Sequence, residues 1–365
     1  MSITQKEIAN DLGISFITVS RVFNNSGYVS AALRKRILDY AEKSNYIPHR
    51  ASQILVRKKI QKIALFTAIQ PDFFWQDIEK GALIAADYLK SLNYEVHFIK
   101  IPSYDTEKYC NLLKNEIKNG LDAAAFVYLN LFDMDKIIKL VEKANIPFIF
   151  FNIDDPLKRG LGYVGTNTNE GGRLAANFTG KILESKSERE VLIVHKSPGK
   201  NQINLSNPDV QRLKGFLSVI EEQYPLIYRS INYIDTYFND PKIEQKFASF
   251  LKEVKKKPDV IYMLSSHCTQ LHNILKKYEC QKSVIIQHDI DDEAVECLEK
   301  GKLGAVVYQD PILQGYTAVR ILEKILDQKN PISRREIMIS HSLILKENVS
   351  YITNHSLLWE SNMNL

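Results

Sequence analysis

The sequence predicts a small all-α helix-turn-helix headpiece joined to an α/β body of two lobes. Three observations carry this. The first 46 residues hold three short amphipathic segments separated by turn residues. Residues 1–60 carry ten Lys and Arg against four Asp and Glu, a net of +6 in a chain whose total is +5. From Gln61 onward, short apolar runs alternate with amphipathic stretches of 10–20 residues, the rhythm of parallel strands with covering helices. At 365 residues the chain is long enough for two or three domains. Its 45% hydrophobic and 25% charged residues are the balance of a globular protein.

The first predicted helix covers about 5–12, with Thr4 as cap and Glu7 completing a capping box. Ile8, Ala9 and Leu12 share one face, and Gly13 supplies the left-handed stop. A second helix starts after Ser15, about 16–24, turning Val19, Val22 and Phe23 inward. Two helices joined by so short a glycine-containing turn make a helix-turn-helix pattern. Ser30 caps a third helix, about 31–44, whose Leu33, Ile37, Leu38 and Ala41 are expected to complete the core.

The remaining residues net −1, so only this end of the chain suits a polyanion. The run from Tyr46 to Lys59 strengthens that view. It has Pro48 near a helix start, Leu55 near its middle, and Arg50, Arg57, Lys58 and Lys59 around them. A short basic helix with a protruding apolar side chain suits a minor-groove wedge. So short a helix is marginal alone in water, so it is expected to order only on DNA and against a partner.

The motif Ile14-Ser15-x-x-Thr18-Val19-Ser20-Arg21-Val22-x-Asn24, then Tyr28-Val29-Ser30, then Asn45, Tyr46, Pro48, Ala51 and Leu55, closely resembles the DNA-binding headpiece of the LacI/GalR family over residues 2–58. The resemblance implies that the second helix lies in the major groove. Phe16, Ile17 and Arg21 then take base-reading positions, and Leu55 the minor-groove position. Thr18, Ser20, Asn24 and Asn25 become backbone-positioning contacts. Thr4, Ser15, Tyr28, Arg50 and Ser52 complete the implied DNA-facing set. Two apolar side chains, Phe16 and Ile17, can read a base only through a thymine methyl, which leaves Arg21 for guanine.

In the body, strands are expected at 62–69, 94–101, 123–129, 146–153, 191–196, 230–235, 260–265, 284–289 and 305–310. Helices are expected at 75–92, 105–119, 133–144, 168–184, 208–222, 240–256 and 312–328. That many units divide into two lobes, with a ligand cleft beyond the strand ends. No dinucleotide or phosphate-loop glycine motif, nucleophile elbow or zinc-protease motif is present, so an enzyme such as a sugar kinase or dehydrogenase has little to stand on. The four cysteines lack zinc-ligand spacing and read as reduced thiols, and His267, Cys268 and His272 as packing rather than a metal site. No metal and no cofactor is expected. Strand ends offer Phe73, Phe74 and Trp75, then Asn152 to Asp155, Asn207 to Arg212, Ser265, Asp289 and Gln309. Aromatics beside neutral and acidic hydrogen-bonding groups match a polyhydroxylated ligand.

The stretches Val284-Ile-Ile-Gln-His-Asp289 and Gly301-Lys-Leu-Gly-Ala-Val-Val-Tyr-Gln-Asp-Pro311-x-x-Gln314-Gly-Tyr316 are similar to the type I periplasmic sugar-binding fold, over about 61–350. By that resemblance Phe73 and Phe74 flank a sugar ring. Arg212, Asp289 and Gln309 hydrogen-bond it, and Asn152, Asp154 and Ser265 lie at further polar positions. An acid–Arg pair common in this fold is Asn152-Ile153 here, so an inositol-like polyol or altered sugar stands beside a simple pentose. The implied organisation is a headpiece at 1–46, a hinge at 47–60, a body at 61–350 and a tail at 351–365. The N-lobe takes about 61–160 plus 290–318, the C-lobe about 161–289 plus 319–350. Such a chain is a cytoplasmic repressor, a homodimer on a pseudo-palindromic operator, released by effector. The start has no apolar secretory segment, and no run approaches a membrane span. A periplasmic-type solute-binding protein without a DNA role is the alternative, which the basic headpiece opposes.

Overall fold

A computed structural model describes residues 3–24, 28–44, 59–68, 71–195, 207–236, 240–254, 256–264, 268–327 and 334–353. The chain divides into two compact units, Met1–Gln61 with Tyr88–Glu95, and Lys62–Asp87 with Val96–Leu365.

The first unit opens with three helices, α1 (Gln5–Leu12), α2 (Phe16–Asn24) and α3 (Ala31–Lys43). The capping box forms as expected. The Glu7 amide donates to Thr4 Oγ1 at 3.3 Å, and the Thr4 amide donates to Glu7 Oε2 at 2.6 Å. Gly13 closes α1 at φ 66°, a value that costs a side chain and suits glycine. Ile8, Ala9, Val19, Val22, Ile37 and Ala41 are sealed inside, with Leu12, Phe23 and Leu33 packed around them. Leu38 departs from expectation, being 44% exposed. A three-helix core covers only a narrow stripe of α3. Leu33, Ile37 and Ala41 fill it at steps of four, and Leu38 lies about 100° round from Ile37. Tyr40 donates to Asp11 at 2.6 Å, tying α3 to α1.

The second unit holds two six-stranded sheets. The first takes β1 (Gln61–Thr67), β2 (Tyr94–Lys100), β3 (Leu121–Phe126), β4 (Phe148–Phe151) and β5 (Gly162–Gly165), with helices α4 (Asp72–Lys90), α5 (Thr106–Lys118) and α6 (Met134–Lys143) between them. The second takes β6 (Val191–His195), β7 (Ile231–Asp235), β8 (Val260–Met263), β9 (Val284–His288) and β10 (Ala305–Tyr308). Its helices are α7 (Thr168–Leu183), α8 (Pro208–Gln223), α9 (Pro225–Tyr228), α10 (Ile243–Glu253), α11 (Cys268–Lys277) and α12 (Asp292–Glu299). The chain then makes α13 (Pro311–Asp327), β11 (Arg335–Met338), β12 (Ser342–Ile344) and α14 (Val349–Thr353). Strand order is β11-β5-β4-β3-β1-β2 in one sheet and β12-β10-β9-β8-β6-β7 in the other. Among the described pairings β12 alone runs antiparallel to its neighbour.

The central strands explain themselves. β4, β8 and β10 are apolar and buried along their whole length, as strands covered on both faces must be. α6 buries Met134, Ile137, Ile138 and Val141, a stripe at helical spacing. β5, β11 and β12 were not anticipated. They are three or four residues long, and β5 is half glycine, too short for a period-two signal.

The chain passes between the sheets three times, near 166–167, 309–310 and 339–341. This differs from the lobe limits read from sequence. Residues 290–318 do not stay with the first lobe, because β10 pairs with β9 in the second sheet. Nor do 319–350 all join the second, because α13 packs on β3, β4 and β5 and β11 pairs with β5. The reason is that each crossing is a single strand end, invisible as a change of pattern.

Each lobe contains one unusually close helix pair. A Cβ on Gly81 of α4 would sit 1.8 Å from the Ile312 carbonyl oxygen, and one on Gly315 of α13 would sit 2.0 Å from that of Ile78. In the second lobe a Cβ on Gly172 of α7 would sit 1.9 Å from the Arg212 carbonyl oxygen, and one on Gly215 of α8 2.0 Å from that of Asn169. These contacts are to backbone, which cannot swing aside. Gly315→Ala should therefore destabilise by about 1–3 kcal/mol, the usual range for overpacking. A lower urea midpoint at unchanged slope would show it, and an unchanged midpoint would mean the helices slide apart freely.

Candidate functional site

On the headpiece, α2 presents its outer face to solvent. Phe16 is 51% and Ile17 61% exposed, although both are apolar, and Arg21 is exposed beside them. Ser15 caps α2, accepting from the Thr18 amide at 3.1 Å and bonding to the Thr18 hydroxyl at 2.8 Å. Thr4 and Ser15 thus hold helix starts as well as facing out. Ser20 is half-buried and Tyr28 wholly outward. Asn25, Arg50, Ser52 and Leu55 lie outside the described residues, as does the Asn24 side chain. The two exposed apolar side chains on a short helix have no place in a core of this size.

In the body, a cavity of about 280 Å³ opens between the two lobes. The first lobe lines it with Ala68, Pro71, Phe74, Trp75, Tyr104, Leu129, Leu131, Asn152 and Ile153, the second with Thr168, Asn207, Pro208, Asp209, Arg212 and Asp289, and the crossing strand with Gln309. Of the residues expected there, Phe74, Asn152, Arg212, Asp289 and Gln309 come together.

Three do not. Phe73 faces a different groove, with Gln76, Lys80 and Asp291, because adjacent helix positions point about 100° apart. Trp75 takes its place, edge-on to Phe74 with ring centroids at 5.2 Å. Asp154 is spent on ion pairs with Lys158 and with Arg334 at 2.6 Å. Ser265 lies outside the described residues.

The polar side centres on Arg212, which is 5% exposed. One Nη donates to the Leu264 carbonyl at 2.6 Å, the other to Asp289 Oδ2 at 3.1 Å, and Asp209 stands 3.7 Å away. Burial works against its charge. Asp289 and Asp209 more than offset that and raise its pKa. Its Nε, sealed from solvent, finds no acceptor among the described residues.

A hydrogen-bonded rail runs from here into the first lobe. Gln309 donates to Asp289 Oδ1 at 2.6 Å and accepts from Thr166 at 3.3 Å. Gln314, fully buried on α13, donates to the Gln309 carbonyl at 2.8 Å and accepts from the Asn152 amide at 3.1 Å. Asn152, Asp289 and Asp310, at the strand ends along this line, all have positive φ, at 59°, 64° and 48°. Such strain persists only where surrounding contacts over-determine it. Gln314 and Thr166 were missed by sequence reasoning, although Gln314 stood inside a quoted motif. Tyr104 and Leu131 lie on loops and gave no periodic signal, and Leu129, expected at the end of a strand over 123–129, lies beyond β3, which stops at Phe126.

Behind Arg212, His288 Nε2 and the Tyr262 hydroxyl are 2.8 Å apart, and His288 Nδ1 has no partner. His341, on the third crossing strand, packs on the same spot: a Cβ at Gly171 would meet both imidazoles. Burial, then the Arg212 charge, pushes His341 down to about 4, against a smaller upward pull from Asp289.

Comparison with known proteins follows the same division. The periplasmic binding protein domain family matches residues 63–330, and the lacI family of bacterial regulatory proteins matches residues 4–49. The chain is 26% identical over 232 residues to the probable transcriptional repressor ExuR of Bacillus subtilis, covering 61% of each protein. It is 28% identical over 221 residues to the ribose operon repressor of Lactococcus lactis, covering 60% of each. To the transcriptional regulator AglR of Rhizobium meliloti it is 28% identical over 149 residues, 41% of each. The chain thus spans less than two thirds of these relatives. Among solved structures, a putative LacI transcriptional regulator from Bacteroides fragilis superposes with a TM-score of 0.66 at 20% identity, covering 80% of this chain and 99% of that one. A solute-binding protein of an ABC transporter from Bacillus halodurans, with bound myo-inositol, gives 0.65 at 18%, covering 81% and 98%. At such identities the likeness is one of fold.

Two outcomes are expected. Asp289→Ala leaves the buried guanidinium short of its nearest carboxylate and should destabilise by about 3–5 kcal/mol in urea unfolding. His341 is neutral when folded, so the unfolded chain binds the extra proton as pH falls. Its contribution is intact above the ordinary histidine value of 6.5 and is lost as pH drops from there toward about 4. Over that window the melting temperature of His341→Asn should fall less steeply than that of the wild type. Parallel curves would remove His341 from the acid response.

Proposed function

The chain belongs to the lacI family of bacterial regulatory proteins, with a periplasmic binding protein domain as its body, and from that premise we propose that it is a DNA-binding repressor controlled by a small polyhydroxylated effector. The observation that carries the effector half is the Arg212 clamp. The second lobe and the crossing strand bring two carboxylates, a buried cation and Gln309 to the cavity, and the first lobe brings Asn152 with the Phe74 and Trp75 rings. Hydroxyl groups donate to the carboxylates and accept from the guanidinium, while aromatic planes meet the CH faces of a ring. Phe74, Asn152, Arg212, Asp289 and Gln309 are the proposed contacts, with Trp75 replacing Phe73. A sugar or an inositol-like polyol satisfies them.

In the DNA half, α2 enters the major groove. Arg21 reads guanine, Phe16 and Ile17 meet thymine methyls, and Thr18, Ser20, Ser15, Thr4, Asn24, Asn25 and Tyr28 position the backbone. Leu55, with Arg50 and Ser52, takes the minor groove. Two such heads on a pseudo-palindromic operator call for a homodimer. The protein works in the cytoplasm. Among the described residues no helix is long and apolar enough to cross a membrane.

Effector binding changes how the lobes meet and releases DNA, which requires a difference in ligand affinity between the two states, typically about 1–3 kcal/mol. The test is a DNA-binding titration in the presence of sugars, inositols and other polyols, beside a thermal-shift screen of the same panel. A ligand at a hundred times its Kd stabilises by about 2.7 kcal/mol, well within detection. If no polyol shifts either readout, the effector reading fails. Arg21→Ala should weaken operator binding by about 1–3 kcal/mol and relax preference at one base pair. An unchanged preference would move that role elsewhere.

A further inference from the structure

The two walls of the cavity differ in chemistry. The second lobe and the crossing strand supply Thr168, Asn207, Asp209, Arg212, Asp289 and Gln309. The first lobe supplies side chains that are almost all apolar or aromatic, and its Asn152 amide already donates to Gln314. One hydroxylated ring seated on the Arg212 clamp occupies Phe74 and Trp75. That leaves Tyr104, Leu129, Leu131 and Ile153, a second apolar surface at the mouth.

This lip is built, not loose. Leu131 is 55% exposed and Tyr104 52%, yet the residue between Leu131 and Asp133, Phe132, is 7% exposed and anchors the loop. Tyr104 lies against Phe132 with centroids 5.9 Å apart. The Asp133 amide donates to Thr106 Oγ1 at 3.0 Å, fastening the loop after β3 to the loop after β2, and the Tyr128 amide donates to the Ile153 carbonyl at 3.0 Å. Single exposed apolar side chains are ordinary on a surface. Two exposed ones, Tyr104 and Leu131, beside the half-buried Leu129 and Ile153 in one cavity lining and on loops held by these hydrogen bonds, form a preformed contact area. Charge narrows the ligand further. Among the described residues the charged ones of the lining are Arg212 and two carboxylates, Asp209 and Asp289, a net negative set that disfavours an acidic or phosphorylated ligand.

We propose that the cleft takes a neutral glycoside, a hydroxylated ring held by the second lobe and carrying a second ring or apolar aglycone against the lip of Tyr104, Leu129, Leu131 and Ile153. This rests on the polyol reading above and specifies which polyols. A free monosaccharide fills the clamp and leaves the lip wet. A glycoside covers both, and covering half-exposed apolar side chains is worth about tenfold in affinity or more.

The experiment uses the full chain and isothermal titration. The probes are glucose, galactose, mannose and arabinose as free sugars, as methyl glycosides and as phenyl glycosides in both anomers, with sucrose and cellobiose as two-ring sugars. The expected result is one phenyl glycoside or disaccharide binding at least tenfold tighter than its parent sugar. That ratio should collapse toward one in Leu131→Ser and in Tyr104→Ala. Equal loss of both ligands in these variants would signify a merely structural role and overturn the lip. Free sugars binding as well as, or better than, their glycosides would overturn it too, while leaving the polyol-controlled repressor intact. No binding by any saccharide would overturn both.

Discussion

A buried guanidinium organises the ligand half of this molecule. Arg212 is almost wholly buried, so its charge survives because Asp289, Asp209 and the Leu264 carbonyl converge on it. Those partners come from three places in the second lobe: the end of β9, the first turn of α8 and the end of β8. Removing the charge from water is costly, and that cost forces the strand ends into one arrangement. The strained backbone at Asp289 is tolerated because its side chain is held from two sides, by Arg212 and by Gln309.

The clamp is passed on through amides rather than through more charge. Gln309 stands on one crossing strand and is bonded to Thr166 beside another, and Gln314 carries the line to Asn152 in the first lobe. Each link has a single geometry, because both ends of each amide are occupied. Asp289 is thereby tied to the crossing strands themselves. The glycine-mediated helix pairs keep the rest of each lobe stiff. α7 and α8 are locked through Gly172 and Gly215 with Arg212 between them, and α4 and α13 through Gly81 and Gly315 with Gln314 beside them. In each lobe the close pair thus includes the helix that bears a key residue of the rail.

The headpiece follows a different logic. Its core is six residues, so it has little stability to spare, and yet it leaves Phe16 and Ile17 in solvent. Arg21 is the exposed hydrogen-bonding side chain beside those two apolar ones. The basic charge of the first sixty residues supplies attraction to any duplex, and that attraction weakens with salt.

Much of this was legible in the chain alone. The capping box at Thr4 and Glu7, the stop at Gly13 and the alternation of buried strands and amphipathic helices followed from local pattern, because caps, helical stripes and fully buried strands each leave a signature within a few residues, while Phe74, Arg212, Asp289 and Gln309 were marked by their places at strand ends and by resemblance to the periplasmic sugar-binding fold. What only the tertiary structure decided was long-range. Phe73 and Trp75 exchange places because the direction of a side chain depends on how α4 is rotated against its neighbours, and two adjacent aromatics look alike in sequence. Asp154 was claimed by Arg334, 180 residues away. The allocation of β10, α13 and β11 between the lobes depends on three crossings with no local mark. Gln314 and the lip at Tyr104 and Leu131 exist as sites only through partners brought from other loops. Residue type and spacing determine which elements form and what chemistry is available, while the packing of those elements determines which side chains share a cavity.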